Sequence, residues 1–126
     1  MVLEKLLDSN FAEIGERWFN EHENGLLLLK FEATWCGPCK LMTAAYRELD
    51  EDYFGDEVKM CAVNIDNADD LAGLFRIQSI PTTAILTKEQ FKKIMDGNTD
   101  IVNEITMLSG VTPPSEMQQI IKKIKD

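Results

Sequence analysis

The chain has 126 residues, 44% of them hydrophobic and 28% charged, which suits one soluble domain with a single core. The net charge of −9 argues against a nucleic-acid-binding surface and against docking to anionic lipid. No apolar run exceeds the four residues Leu26–Leu29, far short of a membrane span.

The N-terminal Met1-Val2-Leu3-Glu4-Lys5 has no basic region followed by an apolar stretch, so no secretory signal is read in it and a cytoplasmic location is expected. A short first strand is expected at Leu3–Leu7. Asn10 and Glu13 have capping-box spacing, and Phe11, Ile14, Trp18 and Phe19 then keep helical spacing up to Asn24-Gly25. Leu26–Ala33 reads as a buried strand. Pro38–Leu49 reads as a helix with Leu41, Met42, Ala45 and Leu49 on its inner face. Val58–Ile65 is a strand, and a short helix follows with Leu71, Leu74 and Phe75 inward. Thr82–Thr87 and Ile105–Leu108 complete the strands. Thr112 is placed to cap a last helix with Pro113 in its first position and Met117, Ile120, Ile121 and Ile124 as its stripe. Around 88–104 two readings stand: an extended hairpin turning at Asp96-Gly97-Asn98, or a helical turn carrying Phe91, Ile94 and Met95. A surface elaboration or a partner contact is expected there.

Strands alternating with helices imply an α/β layered domain spanning 1–126. Its chemistry concentrates in Trp35-Cys36-Gly37-Pro38-Cys39-Lys40, directly after the buried strand. Two cysteines one helical turn apart at a strand-to-helix junction suit reversible disulfide chemistry. The free N–H groups of a first helical turn stabilise a thiolate on the first of them. Pro38 lacks an N–H and has a helical φ, so it fits an early helical position, while Gly37 leaves the sulfur approachable. Cys36, partly exposed, is the expected nucleophile and Cys39, more buried, the expected resolving thiol. A zinc site needs two further ligands; the only histidine, His22, ends the first helix, and Cys61 sits in another strand. No metal is therefore expected, and Cys61 reads as inert core. Three cysteines with two in C-x-x-C suit a reducing compartment rather than a disulfide scaffold.

The Trp-Cys-Gly-Pro-Cys-Lys motif, with Val63-Asn64-Ile65-Asp66 and Phe75-Arg76-Ile77-Gln78-Ser79-Ile80-Pro81-Thr82 further on, resembles the thioredoxin family in its reductase form. The resemblance is close over residues 3–87, loose over 110–126 and poor over 88–109. It implies a thioredoxin fold, with a central mixed sheet of about five strands flanked by about four helices. By that resemblance 88–104 is an insertion about a dozen residues longer than the family pattern. It also implies a cis Ile80–Pro81 bond facing the dithiol. Such a bond turns Ile80 N–H and C=O outward for pairing with an extended substrate. Trp35, Gly37, Pro38, Ile80, Pro81 and Gly110 would form the substrate groove. No bound cofactor is implied, only a Cys36–Cys39 disulfide reduced by an external donor, with thioredoxin reductase expected. Partners would be protein disulfides, and the protein a monomer.

Two departures from the family pattern stand out. Lys30 occupies the position of a buried acid, and Ala62 that of its lysine partner. Glu32 lies on the same strand face as Lys30, so the two form a candidate proton-handling pair for Cys39, against a lysine that snorkels outward and leaves proton transfer to water. Ala44 replaces a helix-kinking proline, which predicts a straighter helix. The leading function is a general protein-disulfide reductase. The alternatives are a dedicated thiol–disulfide partner or isomerase, and an interaction subunit whose dithiol is incidental.

Overall fold

The computed structural model describes Met1 and residues 3–126. Five strands form one sheet: β1 (Glu4–Lys5), β2 (Leu26–Glu32), β3 (Val58–Asn64), β4 (Thr82–Thr87) and β5 (Thr106–Ser109). Their order is β1-β3-β2-β4-β5. β1, β3 and β2 run parallel, and β4 is antiparallel to both β2 and β5. The helices are α1 (Phe11–Glu21), α2 (Gly37–Arg47), α3 (Asp69–Leu74), α4 (Lys88–Met95) and α5 (Pro114–Lys125), with a 3-10 helix at Thr99–Glu104. This mixed sheet with flanking helices is a thioredoxin fold.

β2 is central and covered on both faces, which explains its continuous apolar run. Leu27, Leu29 and Phe31 point into a core with Phe11, Ile14, Phe19, Leu71, Phe75 and Phe91. Leu26 and Leu28 point the other way, to Met42, Tyr46, Ile85, Met117 and Ile121. Because successive strand side chains alternate, Lys30 and Glu32 fall on this second face, under α2.

Several local expectations need correction. β1 is two residues long rather than five. Asn10 makes no cap bond to α1; its Oδ1 instead accepts from Leu7 N at 2.8 Å. Leu41 and Ala45 are exposed, and the inward face of α2 is Cys39, Met42 and Tyr46. An apolar residue at position 41 misled the phase, whereas the i, i+3, i+7 spacing of 39, 42 and 46 is the buried stripe. Burying Met42 fully contributes roughly 1.5–3 kcal/mol. Thr112 does not cap α5. Pro113 stands at the cap, and the Thr112 carbonyl accepts from the buried Tyr46 hydroxyl at 2.8 Å.

Residues 88–104 are helical, not a hairpin. Thr87 Oγ1 accepts from Gln90 N at 3.2 Å and Gln90 Oε1 accepts from Thr87 N at 3.0 Å, a complete capping box that starts α4. Phe91, Ile94, Ile101 and Val102 then enter the main core. The segment is part of the core rather than a surface elaboration.

Candidate active site

β2 ends at Glu32, and a short loop leads through Trp35 into α2. Cys36 is the N-cap of α2, with φ −93° and ψ 109°. Its Sγ accepts from Cys39 N at 3.2 Å, so a first-turn donor points at that sulfur. Pro38 takes an early helical position and removes no needed donor. Cys36 and Cys39 form a disulfide with their Cα atoms 5.3 Å apart. In this state Cys36 is 5% exposed and Cys39 2%, so Cys36 is more buried than its sequence position suggested. Gly37 and Pro38 lie exposed beside the pair.

Around the disulfide, Ala33 completes a small apolar cluster against which Ile65 and Ile80 pack. The Ile80–Pro81 bond is cis. The Pro81 carbonyl accepts from Gly110 N at 2.8 Å, which joins two predicted groove residues. Gly110 has φ +84°, and that conformation rather than crowding calls for glycine. Trp35 is 67% exposed, and its indole N–H donates to Asp66 Oδ2 at 2.9 Å. Asp66 is a contact that sequence reasoning missed, since it follows β3 and reaches across from another loop.

Beneath the first turn of α2, Lys30 is 0% exposed, so it does not snorkel. Its ammonium pairs with Glu32 Oε1 and donates to Thr43 Oγ1 at 2.7 Å and to the Cys39 carbonyl at 3.4 Å. These three acceptors use the donors an ammonium has. Glu32 and Thr43 line two cavities of about 340 and 360 Å³, one of which also includes Cys39. Thr43 was not singled out from sequence, although its place one helical turn after Cys39 puts it on the same helix face. A larger cavity of about 960 Å³ lies near Gly25, Leu26, Thr87 and Lys88, at the end of β2 remote from the cysteines.

Cys61 is fully buried on the opposite face of the sheet, with Leu29 and Val63. Burial pushes its thiol up to about 12, against a slight lowering by Lys59, so it stays protonated and unreactive at neutral pH. Among the described residues no group of three or more His, Cys, Asp or Glu side chains is placed to hold a metal ion. No helix among them is long and apolar enough to cross a membrane.

The geometry agrees with the chain's relatives. The thioredoxin family model matches residues 3–107. Thioredoxin of Bacillus subtilis is 34% identical over 86 residues, covering 68% of this chain and 75% of that protein. Thioredoxin of Listeria monocytogenes is 30% identical over 122 residues, covering 97% of this chain and 98% of its own length. Among solved structures, chloroplastic thioredoxin z superposes with a TM-score of 0.69 at 24% identity, covering 99% of this chain and 96% of that one. Mitochondrial thioredoxin 3 of Saccharomyces cerevisiae gives 0.65 at 24% identity, covering 96% and 94%. The chain belongs to the thioredoxin family, and its redox-active Cys36–Cys39 pair makes it a protein thiol–disulfide oxidoreductase.

Proposed function

We propose that the protein works in the reducing direction, as a general protein-disulfide reductase with Cys36 as nucleophile and Cys39 as resolving thiol. The observation that carries this is the Cys39 N–H aimed at the Cys36 sulfur, a donor that favours a thiolate at position 36 once the disulfide is opened. The Cys36 thiolate attacks one sulfur of a substrate disulfide and forms a mixed disulfide, releasing the other substrate sulfur as a thiolate. Cys39 then attacks Cys36, the Cys36–Cys39 bond re-forms, and the second substrate sulfur leaves with the electron pair and takes up a proton.

Substrate would lie along Trp35, Gly37, Pro38, Ile80, Pro81 and Gly110. Ile80 supports this placement: it packs on the cysteine cluster, and among the described residues no hydrogen bond outside the sheet ladder uses its N–H or C=O, which leaves them for an extended peptide. Lys30 and Glu32 handle the proton of Cys39, with Thr43 holding the ammonium in place. Thioredoxin reductase would return two electrons to the disulfide. A cytoplasmic monomer fits the acidic surface and the cycling pair. Residues 88–104 would be an insertion within a single 1–126 domain.

Insulin reduction with NADPH and a thioredoxin reductase tests the activity. Wild type should precipitate the insulin B chain, and Cys36→Ser should not. Cys39→Ser should accumulate mixed disulfide visible by non-reducing mass analysis. Turnover by Cys39→Ser at the wild-type rate would refute the assigned roles.

A further inference from the structure

β4 carries a buried hydroxyl that the fold does not use. Thr83 is 0% exposed, and its Oγ1 is the one buried side-chain N or O atom among the described residues that lacks a hydrogen-bond partner. Such an atom is destabilising and asks for an explanation.

Its place in the sheet supplies one. Thr83 is the register partner of Lys30 across β2 and β4, and directly opposed residues share a sheet face. That face lies under α2, where the Lys30 ammonium reaches the Cys39 carbonyl. Along β4, Ile85 belongs to the cluster with Met42, while Ile80, just ahead of the strand, packs on the cluster of Ala33, Cys36 and Cys39. Thr83 therefore sits beneath the stretch of α2 between Cys39 and Met42.

We propose that Thr83 is the hydrogen-bond partner of the Cys39 sulfur in the reduced protein. The proposal rests on Cys39 being the resolving thiol. In the disulfide the Cys39 sulfur has no proton and is a poor acceptor, so the hydroxyl stands idle. After reduction the sulfur is a thiol that donates or a thiolate that accepts, and a hydroxyl serves both. During resolution the Thr83 O–H donates to the Cys39 thiolate. As that thiolate bonds to Cys36 and the substrate sulfur departs with the electron pair, the dithiol has lost two electrons to the substrate and the hydroxyl is idle again. Thr83 thus stabilises the reduced state selectively.

Thr83→Val keeps the shape and strand preference and removes only the hydroxyl. The full chain is equilibrated with glutathione and glutathione disulfide, and its oxidised fraction is read by thiol alkylation and mass. The oxidised-to-reduced ratio should rise about fivefold in Thr83→Val, as expected for one lost hydrogen bond. That corresponds to a potential about 20 mV more negative for a two-electron couple. Thr83→Ser, which keeps the hydroxyl, should stay near wild type. The oxidised form of Thr83→Val should also melt above oxidised wild type, while its reduced form does not. An unchanged ratio, or equal stabilisation of both forms, would overturn the proposal while leaving the reductase intact. Wild-type turnover by Cys39→Ser would overturn both together.

Discussion

The buried Lys30 ammonium meets the Glu32 carboxylate two residues along the same face of β2, and only Glu32 has any access to solvent. A full charge under the dithiol helix is tolerable because every ammonium donor is used. Under the proposed roles, the Lys30 cation would favour the Cys39 thiolate and Glu32 would accept its proton within the cavity that both Glu32 and Cys39 line.

Glu32→Gln should therefore slow resolution of the mixed disulfide by roughly ten- to a hundredfold, with initial attack by Cys36 changed much less. Lys30→Met should move the pH dependence of resolution to higher pH. Single-turnover rates against pH decide both; identical profiles in the two variants and wild type would make solvent the proton acceptor.

Asp8 caps α3 from outside the helix. Its Oδ2 accepts from Asp70 N at 3.1 Å and its Oδ1 from Leu71 N at 2.9 Å, while the local cap, Ala68, offers no side-chain acceptor. Asp8→Ala should cost about 1 kcal/mol, and Asp8→Asn less, because it keeps one acceptor. Urea midpoints measure this, and insulin reduction should stay at the wild-type level.

The active-site loop and the Lys30–Glu32 pair were legible because each rests on short-range spacing: three residues for the dithiol and two for the strand face. The inward phase of α2 was not, since exposed Leu41 has the same hydropathy as a core residue and only tertiary packing selects Met42 and Tyr46. The helix at 88–95 did have a local signal in Thr87 and Gln90, outweighed by the turn-like Asp96-Gly97-Asn98. That turn ends α4 instead, with Gly97 at φ +90°. Thr83 lies opposite Lys30, and Asp66 reaches Trp35, across long sequence separations, so nothing local marks these contacts.

Cys61 should be dispensable for turnover but visible in alkaline stability. Its thiol is pushed up to about 12 by burial, from an ordinary 9.0. Between those values the unfolded chain ionises and the folded one does not, so stability falls as pH rises, by about 1.4 kcal/mol per pH unit from this group. Buried Tyr46 is also shifted upward, chiefly by burial and then by Glu116, and adds to the loss at still higher pH. Cys61→Ala should keep most reductase activity at pH 7 and flatten the stability curve between pH 9 and 12. An unaltered alkaline slope would mean the thiol is not what titrates there, and a large activity loss with the fold intact would contradict its inert role.

α4 is bound to the rest of the molecule through Phe91, which enters the main core. A Cβ on Gly15 would overlap Phe91 Cε1 and Cζ, so the ring occupies the space above that glycine in α1. Phe91 also meets Phe11 with centroids 5.4 Å apart in an edge-on arrangement and Phe19 at 5.5 Å. In an exposed helix interior, Gly→Ala would stabilise by about 1 kcal/mol. Here overpacking opposes that gain by about 1–3 kcal/mol, with a rigid ring rather than a flexible chain end in the way. Gly15→Ala should therefore be net destabilising. Phe91→Leu should be destabilising too, through lost contact. Combined, they should cost less than their sum, because the smaller side chain leaves room for the methyl group. Denaturant titrations of the two single variants and the double variant measure the coupling. Stabilisation by Gly15→Ala alone, or strict additivity, would show that Phe91 does not press on α1 and that 88–104 is less firmly docked than the packing indicates.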